Sequence, residues 1–427
     1  MIRTLVKACG VLCGLLVPTS LFSLFCWNRP LHYQPHPLER SAARGELLHF
    51  SGYPVLRLRG SPYERGYQHG TLHRDAVRAN VRSFLQYVYT QSPVGKHITQ
   101  AFLDFAAACF LPYLPSAYRE EMQGLADGSG LSLQDIQRVH AAPDLFELRG
   151  LVSCASFAAF GRATADGRLY QLRNFDWIFA AGIQRYPLLL VYPEEGVVNI
   201  SYAGFLGVVS GMNRAGISVG QIGATSRDWT LRGLPMPFLL RRVLEEAKTL
   251  EEAVQIVRTA PRTVGHNYLI ASGHEGKAVA LETTKSLCVS FTDDREGSLD
   301  YAFPLVDILY RADLALSPQV RRWQVCSNGY PNPPFGSVAY KVRYRRQGEL
   351  LRQYYGQISP EVAKMIARAI APASNIQSVI YSPATLEFWV ATADTKTRAA
   401  KRPYQHFSLP HLLCVPDTEP WQEVSSV

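Results

Sequence analysis

Cys154 marks a change of hydrophobic period, and that change constrains the fold more than any other feature of the chain. From Ser61 to about residue 140, apolar residues recur at helical spacing; beyond Cys154 they alternate in short runs broken by turn residues. "YPVLRLRG" (53–60) alternates like a short strand. "SPYERGYQHGTLHRDAVRANVRSFLQYVYT" then predicts one helix, with Ser61 as N-cap, Pro62 at the first helical position and Glu64 completing a capping box. Ser132 is placed to cap a later helix. After Cys154, "CASFAAFGRATADGRLYQLRNFDW" reads as strand, Asp-Gly turn, strand. Strands follow in "LLLVYP", "VVNISYAG" and "VVSGMNRAGISVGQI". Next comes the helix pair "PMPFLLRRVLEEA" and "TLEEAVQIVRTA", the second opening with a Thr249–Glu252 capping box. Strands return in "HNYLIASGHEGKAVALETT" and "QSVIYSPATLEFWVATAD". Helices first, then strands interleaved with helix pairs, fit sheets covered on their faces by helices, an α+β fold.

With 427 residues, 47% of them hydrophobic and 19% charged, the chain has ample material for a large core. The formal charge of +9 gathers in places such as "KVRYRR" (341–346), but no zinc-finger spacing or glycine-rich phosphate loop accompanies it. The basic run reads as a solvated face, and no nucleic-acid partner is expected. No HExxH-type zinc spacing occurs, and neither a metal nor another cofactor is expected. At the N-terminus, Arg3 and Lys7 precede a stretch that is uncharged from Ala8 to Trp27, long enough to span a bilayer. Bulky "LFSLFCW" stands where a signal peptidase would need small residues, so residues 1–27 suit an uncleaved signal-anchor better than a removed signal peptide. Either reading exports the body of the protein, membrane-anchored in the first case and secreted or periplasmic in the second. Residues 28–48, rich in Pro and Arg, read as a linker.

Cysteine is the strongest side-chain nucleophile, but mainly as thiolate, so something must take its proton. If the bond between Ser153 and Cys154 breaks, Cys154 becomes an N-terminus, and its own α-amine, titrating near pH ~7.7, supplies the base. The partner strand ends in "LRNFDW" with Arg173 and Asp176. A carboxylate there can orient the amine, and a guanidinium can favour the thiolate. A two-residue Asp-Gly turn pairs Phe160 with Arg173 and puts Arg173 on the Cys154 face. Asp176 reaches that face only if the loop is one residue longer or the strand bulges or ends there. A structural ion pair beside a buried cysteine is the plainer reading of the same trio.

Four ordered segments, "GSPYERGYQHG", "CASFAAFGRATADGRLYQLRNFDW", "GHNYLIASGHEGKAVALETT" and "QSVIYSPATLEFWVA", resemble the acyl-coenzyme A:penicillin acyltransferase and carcinine hydrolase family of N-terminal nucleophile hydrolases. The resemblance spans roughly residues 53 to 395. It implies a four-layer αββα sandwich and self-cleavage before a cysteine. Residues 49–153 would then form a helical small subunit and 154–427 the catalytic large subunit. It implies hydrolysis or transfer of the acyl group of a linear amide, with a small-molecule amide or acyl thioester as substrate. Cys154 matches the nucleophile, and Arg173 and Asp176 match the "RNxD" pair that flanks it. Asn267 in "HNYL" matches an asparagine that donates to the oxyanion, a role in which losing one donor typically costs about 10²–10³ in rate. A downstream arginine is expected at Arg343 or Arg346, with Arg343 preferred; Tyr340 stands where the family usually has serine. Ser153 stands where penicillin acyltransferase has glycine. His69 in "YQHG" reads as packing, because the amine already fills the role of base. Trp177, Tyr202 and Phe205 fit either an acyl pocket or the core. A lipid amidase of the same mechanism is the alternative within the enzyme class. An unprocessed exported binding protein is the alternative outside it.

Overall fold

A computed structural model describes residues 44–50, 52–148, 153–293, 299–325 and 337–414. The anchor or signal segment and most of the linker lie outside the described residues. Among the described residues no helix is long and apolar enough to cross a membrane.

The described chain opens with strands β1 (Glu46–Phe50) and β2 (Tyr53–Arg57), paired antiparallel. β1 therefore begins inside the segment read as linker. Five helices follow: α1 (Pro62–Leu72), α2 (Arg74–Gln91), α3 (Lys96–Phe110), α4 (Ser116–Ser129) and α5 (Leu133–Leu148). The single helix expected from Ser61 is thus two, broken at His73. The Ser61–Glu64 capping box forms at the predicted start. α1 and α4 cross with their backbones nearly in contact. A Cβ on Gly66 would lie 1.9 Å from the carbonyl oxygen of Glu121, and one on Gly124 would lie 2.0 Å from that of Tyr63.

Beyond residue 153 come β3 (Ser153–Ala159), β4 (Tyr170–Asp176), β5 (Pro187–Tyr192), β6 (Val197–Tyr202), β7 (Ser210–Asn213) and β8 (Ile217–Gly223). Helices α6 (Met236–Glu246) and α7 (Leu250–Thr259) separate these from β9 (His266–Ser272), β10 (Lys277–Thr283), β11 (Cys288–Phe291) and β12 (Ile308–Arg311). Helices α8 (Ser337–Gln353) and α9 (Pro360–Ile370) precede β13 (Asn375–Ser382), β14 (Glu387–Thr392), β15 (Gln405–Ser408) and the short α10 (Leu409–Cys414). One sheet has nine strands in the order β1-β2-β5-β6-β7-β8-β9-β10-β11, the other six in the order β12-β3-β4-β13-β14-β15.

The two sheets stack face to face, and helices cover their outer faces. α7 buries Leu250, Ala253, Val254 and Val257, and α9 buries Ala363, Ile366, Ala367 and Ile370. Both sets repeat at i, i+3, i+4, i+7, the stripe one helix face presents to a sheet. Each fully buried Leu, Ile or Val is worth roughly 1.5–3 kcal/mol. α6 and α7 pack on the nine-stranded sheet, α8 and α9 on the six-stranded one. The interior between the sheets is partly polar. Gln171 donates to Leu269 O, and Gln377 donates to Ile200 O and accepts from Ser210. Gly220 of β8 faces β3 and β4 there; a Cβ on it would lie 3.1 Å from Ser156 Oγ.

The β3–β4 register differs from the two-residue Asp-Gly hairpin. Ser156, not Phe160, lies opposite Arg173. The connection is longer because it takes a 3₁₀ turn at Gly161–Ala163, and Thr164 bridges to Ile358. Asp166 and Gly167 turn the chain only at its far end, where the Asp166 carboxylate accepts from Arg168 N–H.

Candidate active site at the Ser153–Cys154 bond

Directly opposed residues of an antiparallel pair share a face. Cys154 faces Phe175 and Ser156 faces Arg173, so these four point into the sandwich, while Ser153 and Asp176 oppose each other and point toward the α8–α9 layer. The bond between Ser153 and Cys154 therefore straddles the sheet. Arg173 lies on the Cys154 face, as the alternation predicts. Asp176 does not, because the register keeps it on the Ser153 side.

On the inner face the Cys154 thiol is fully buried, 3.6 Å from Arg173 Nη2 and 4.0 Å from Gln221 Oε1. Arg173 is fixed from three sides. It donates to the Gln221 carbonyl and side-chain oxygens and to Ser210 Oγ, and its guanidinium stacks over the Phe175 ring. Burial pushes the Cys154 thiol up to about 12 against the opposing pull of Arg173. In the intact chain the thiol is thus protonated at neutral pH.

On the outer face, Arg343 of α8 reaches in. Its Nη1 lies 2.6 Å from Asp176 Oδ2 and donates to Ser153 Oγ at 2.9 Å, while its Nε donates to Ile370 O. Asp176 also accepts from Asn375 at 3.0 Å. Burial raises the Asp176 carboxyl, and the Arg343 charge holds it back. Arg346, one turn further along α8, is half exposed and pairs with Glu349, so the preferred Arg343 is the arginine at this bond. In the basic run read as a solvated face, Arg343 is mostly buried and Arg345 and Arg346 are exposed.

The residue that sequence reasoning missed is Asp313. Its Oδ1 accepts the Cys154 N–H at 2.9 Å, and its Oδ2 accepts the Ser153 hydroxyl at 2.8 Å. One carboxylate thus grips both sides of the bond, with Arg343 Nη1 3.9 Å away. Burial pushes Asp313 up to about 7, opposed by Arg343 and by the two hydrogen bonds. The loop that carries it is held rigidly. Glu282, in a fully buried ion pair with Arg311, accepts Leu316 N–H and Ser317 N–H at 2.8 Å each. Gln324 accepts Ala315 N–H and donates to Asp313 O. Asn267 donates to Ala312 O at 3.0 Å and to Leu314 O at 3.3 Å. Its amide hydrogens are therefore directed at this loop in the intact chain, rather than toward an oxyanion at Ser153. Nothing in "YRADLALS" marks Asp313, since only the fold brings it to residue 154.

His69 lies elsewhere. It is fully buried and accepts Gly204 N–H at 3.0 Å through Nε2, and burial holds it neutral with its pKa lowered to about 3. Trp177, Tyr202 and Phe205 line one cavity together with Phe175 and Gln221, the neighbours of Cys154. Among the described residues no group of three or more His, Cys, Asp or Glu side chains is arranged to hold a metal ion.

Three relatives frame this geometry. Protein dcd1B of Dictyostelium discoideum is 27% identical over 56% of this chain and 52% of its own length. An uncharacterized protein of Archaeoglobus fulgidus is 28% identical over 75% of this chain and 58% of its own length. The chain thus spans little more than half the length of these two relatives. Acid ceramidase of Rattus norvegicus is 22% identical over 64% of this chain and 73% of its own length. Residues 162–299, which begin just after β3 and contain Arg173, Asp176 and Asn267, match the family model of acyl-coenzyme A:6-aminopenicillanic acid acyl-transferase, the family that the sequence motifs resemble.

Proposed function

We propose that this chain is an amidohydrolase or acyltransferase that activates itself by scission between Ser153 and Cys154, then uses Cys154 as an N-terminal nucleophile on linear amides. The observation that carries the proposal is the grip on that one bond. Asp313 holds the amide N–H and the Ser153 hydroxyl, Arg343 joins Ser153 to Asp176, and a buried thiol lies beside Arg173.

In the first reaction the Cys154 sulfur attacks the Ser153 carbonyl carbon. The C–S bond forms as the C–N bond breaks, and the thiol proton passes to the departing nitrogen. Water then hydrolyses the thioester, giving a Ser153 carboxylate and restoring the Cys154 thiol. Asp313 Oδ1, 2.9 Å from the nitrogen in the intact chain, fixes it as it becomes an amine. In the second reaction that amine accepts the thiol proton as sulfur attacks the substrate carbonyl, and returns it to the leaving amine. The acyl-enzyme passes to water or to a second amine. Arg173 supports the developing thiolate, and Asp313, Asp176 and Arg343 orient the new N-terminus. Acid ceramidase is named for an amide lipid, and the apolar cavity beside Gln221 favours an acyl group of that character.

The test is intact mass. Wild type should resolve into two chains, the heavier running from Cys154 to Val427, and Cys154→Ala should stay whole. A single full-length mass for active wild-type protein overturns the reading.

A further inference from the structure

The cavity next to Cys154 is walled in part by the segment upstream of the proposed scission. Phe84, Val139, Phe175, Trp177, Phe205 and Met236 make most of it apolar. The space it lines, counted together with its open mouth, is roughly 680 Å³. Cys154 is not in the wall, but Gln221, in contact with its sulfur, is.

Within this apolar lining stand polar atoms that meet no partner among the described residues. Glu147 accepts from Thr225 through Oε1, but its Oε2 is unmatched; the Nε1–H of Trp177 is unmatched too. Glu147 is 1% exposed and Trp177 5%. Polar groups left unpaired at this depth are costly, and a ligand that answers them recovers that cost. The two are neighbours, since Phe146, adjacent to Glu147 on α5, meets the Trp177 ring edge-on with centroids 5.4 Å apart. With its Oε1 accepting from Thr225, the neutral Glu147 carboxyl carries its proton on Oε2, so both groups offer a hydrogen. One ligand hydroxyl oxygen, with two lone pairs, can accept from both.

We propose that this cavity receives the acyl group of the amide, and that Glu147 and Trp177 select an otherwise apolar acyl group bearing one hydroxyl. The assignment of the cavity to the acyl group rests on the proposed function; the selection itself concerns binding alone. Burial pushes the Glu147 carboxyl up to about 8, so an uncharged acid enters the cavity at neutral pH and does not repel an apolar chain.

Calorimetric titration of the wild-type protein with dodecanoic acid and its monohydroxy derivatives tests this without requiring turnover. At least one hydroxy acid should bind about tenfold or more tightly than dodecanoic acid, the worth of one well-made buried hydrogen bond. Glu147→Leu should erase the preference while keeping dodecanoic acid affinity. Trp177→Phe, which keeps the ring and removes the donor, should reduce the preference and guards against misfolding of the first variant. Equal binding of all the acids, no binding of any, or a preference that survives both substitutions overturns the proposal. Intact mass reads the scission separately. A hydroxy-acid preference in a chain that never cleaves would leave the cavity standing and fell the nucleophile, and cleavage without the preference would do the reverse.

Discussion

Asp313 is the most informative residue at this site because its carboxylate answers two groups on opposite sides of one peptide bond. Asp313→Asn keeps the shape and removes the charge. It should leave the Cys154→Ala chain folded and slow wild-type turnover of an added amide by about a hundredfold, the lower range of positioned acid–base groups; a rate within threefold of wild type would reduce Asp313 to a structural role. The same substitution has a pH signature. Asp313 is raised to about 7 in the fold from an ordinary aspartate near ~3.9. Between those values the folded chain binds the extra proton, so this residue stabilises the fold at low pH and loses that contribution as pH rises toward about 7. In the Cys154→Ala background, Asp313→Asn should therefore raise the melting temperature more at pH 8 than at pH 5, by about 2–3 °C in the difference. A pH-independent effect would mean that the buried carboxyl does not titrate as proposed. Cys154, Arg173 and Arg343 were legible in the sequence through motif and alternation. Asp313 was not, because a long loop and a buried Glu282–Arg311 pair bring it in. Asp176 was legible as a site residue but not in its placement, which a register set by distant contacts decides.

Among the elements, those with local signals came through the sequence best. Both capping boxes, at Ser61 and at Thr249, start helices where propensity places them, and the strands read in "QSVIYSPATLEFWVATAD" form, paired antiparallel as β13 and β14. The β3–β4 connection escaped because Ala163, Thr164 and Ala165 bond to the stretch after α8, and that tertiary pairing overrides the Asp-Gly turn. β12 and α8 escaped because neither carries a clean period; α8 buries Tyr344, Gln347 and Leu351 beside exposed arginines. The motif "GSPYERGYQHG" owes Gly66 and Gly70 to the crossing of α1 and α4. At Gly66 an added methyl would collide with the backbone of Glu121, which cannot move aside as a flexible side chain would. Gly66→Ala, although it favours helix by about 0.8–1.0 kcal/mol, should lower the melting temperature by about 1–3 °C, since overpacking typically costs 1–3 kcal/mol. An unchanged or higher melting temperature would show that the two helices separate freely and that the glycine serves something else.

At the scale of the whole molecule, scission at Ser153 would divide one sandwich rather than separate two domains. β1 and β2 lie upstream of the bond, yet β2 pairs in parallel with β5, and Leu58 N–H continues that ladder to Val191 O. Helix α4 is tied across the divide by a buried ion pair between Glu121 and Arg241 and by the hydroxyl of Tyr118 on Glu245. Arg65 of α1 pairs with Glu195, and His69 and His140 accept the N–H groups of Gly204 and Leu206 on the far side. A buried ion pair broken at one partner costs several kcal/mol, and several such ties act together with the shared core. The upstream piece also supplies Asn80, Phe84, Val139 and Glu147 to the cavity wall, so losing it would open the substrate site. The two pieces should therefore stay together after cleavage, co-eluting as a single species on size exclusion while a denaturing gel resolves two bands. Glu121→Gln combined with Arg65→Ala should weaken that union and lower amide turnover together with recovery of the small piece, with scission itself unaffected because neither residue touches the Ser153–Cys154 bond. Full activity from the large piece alone, after the small piece has been stripped away, would show that the cavity wall upstream of Cys154 plays no part in handling substrate.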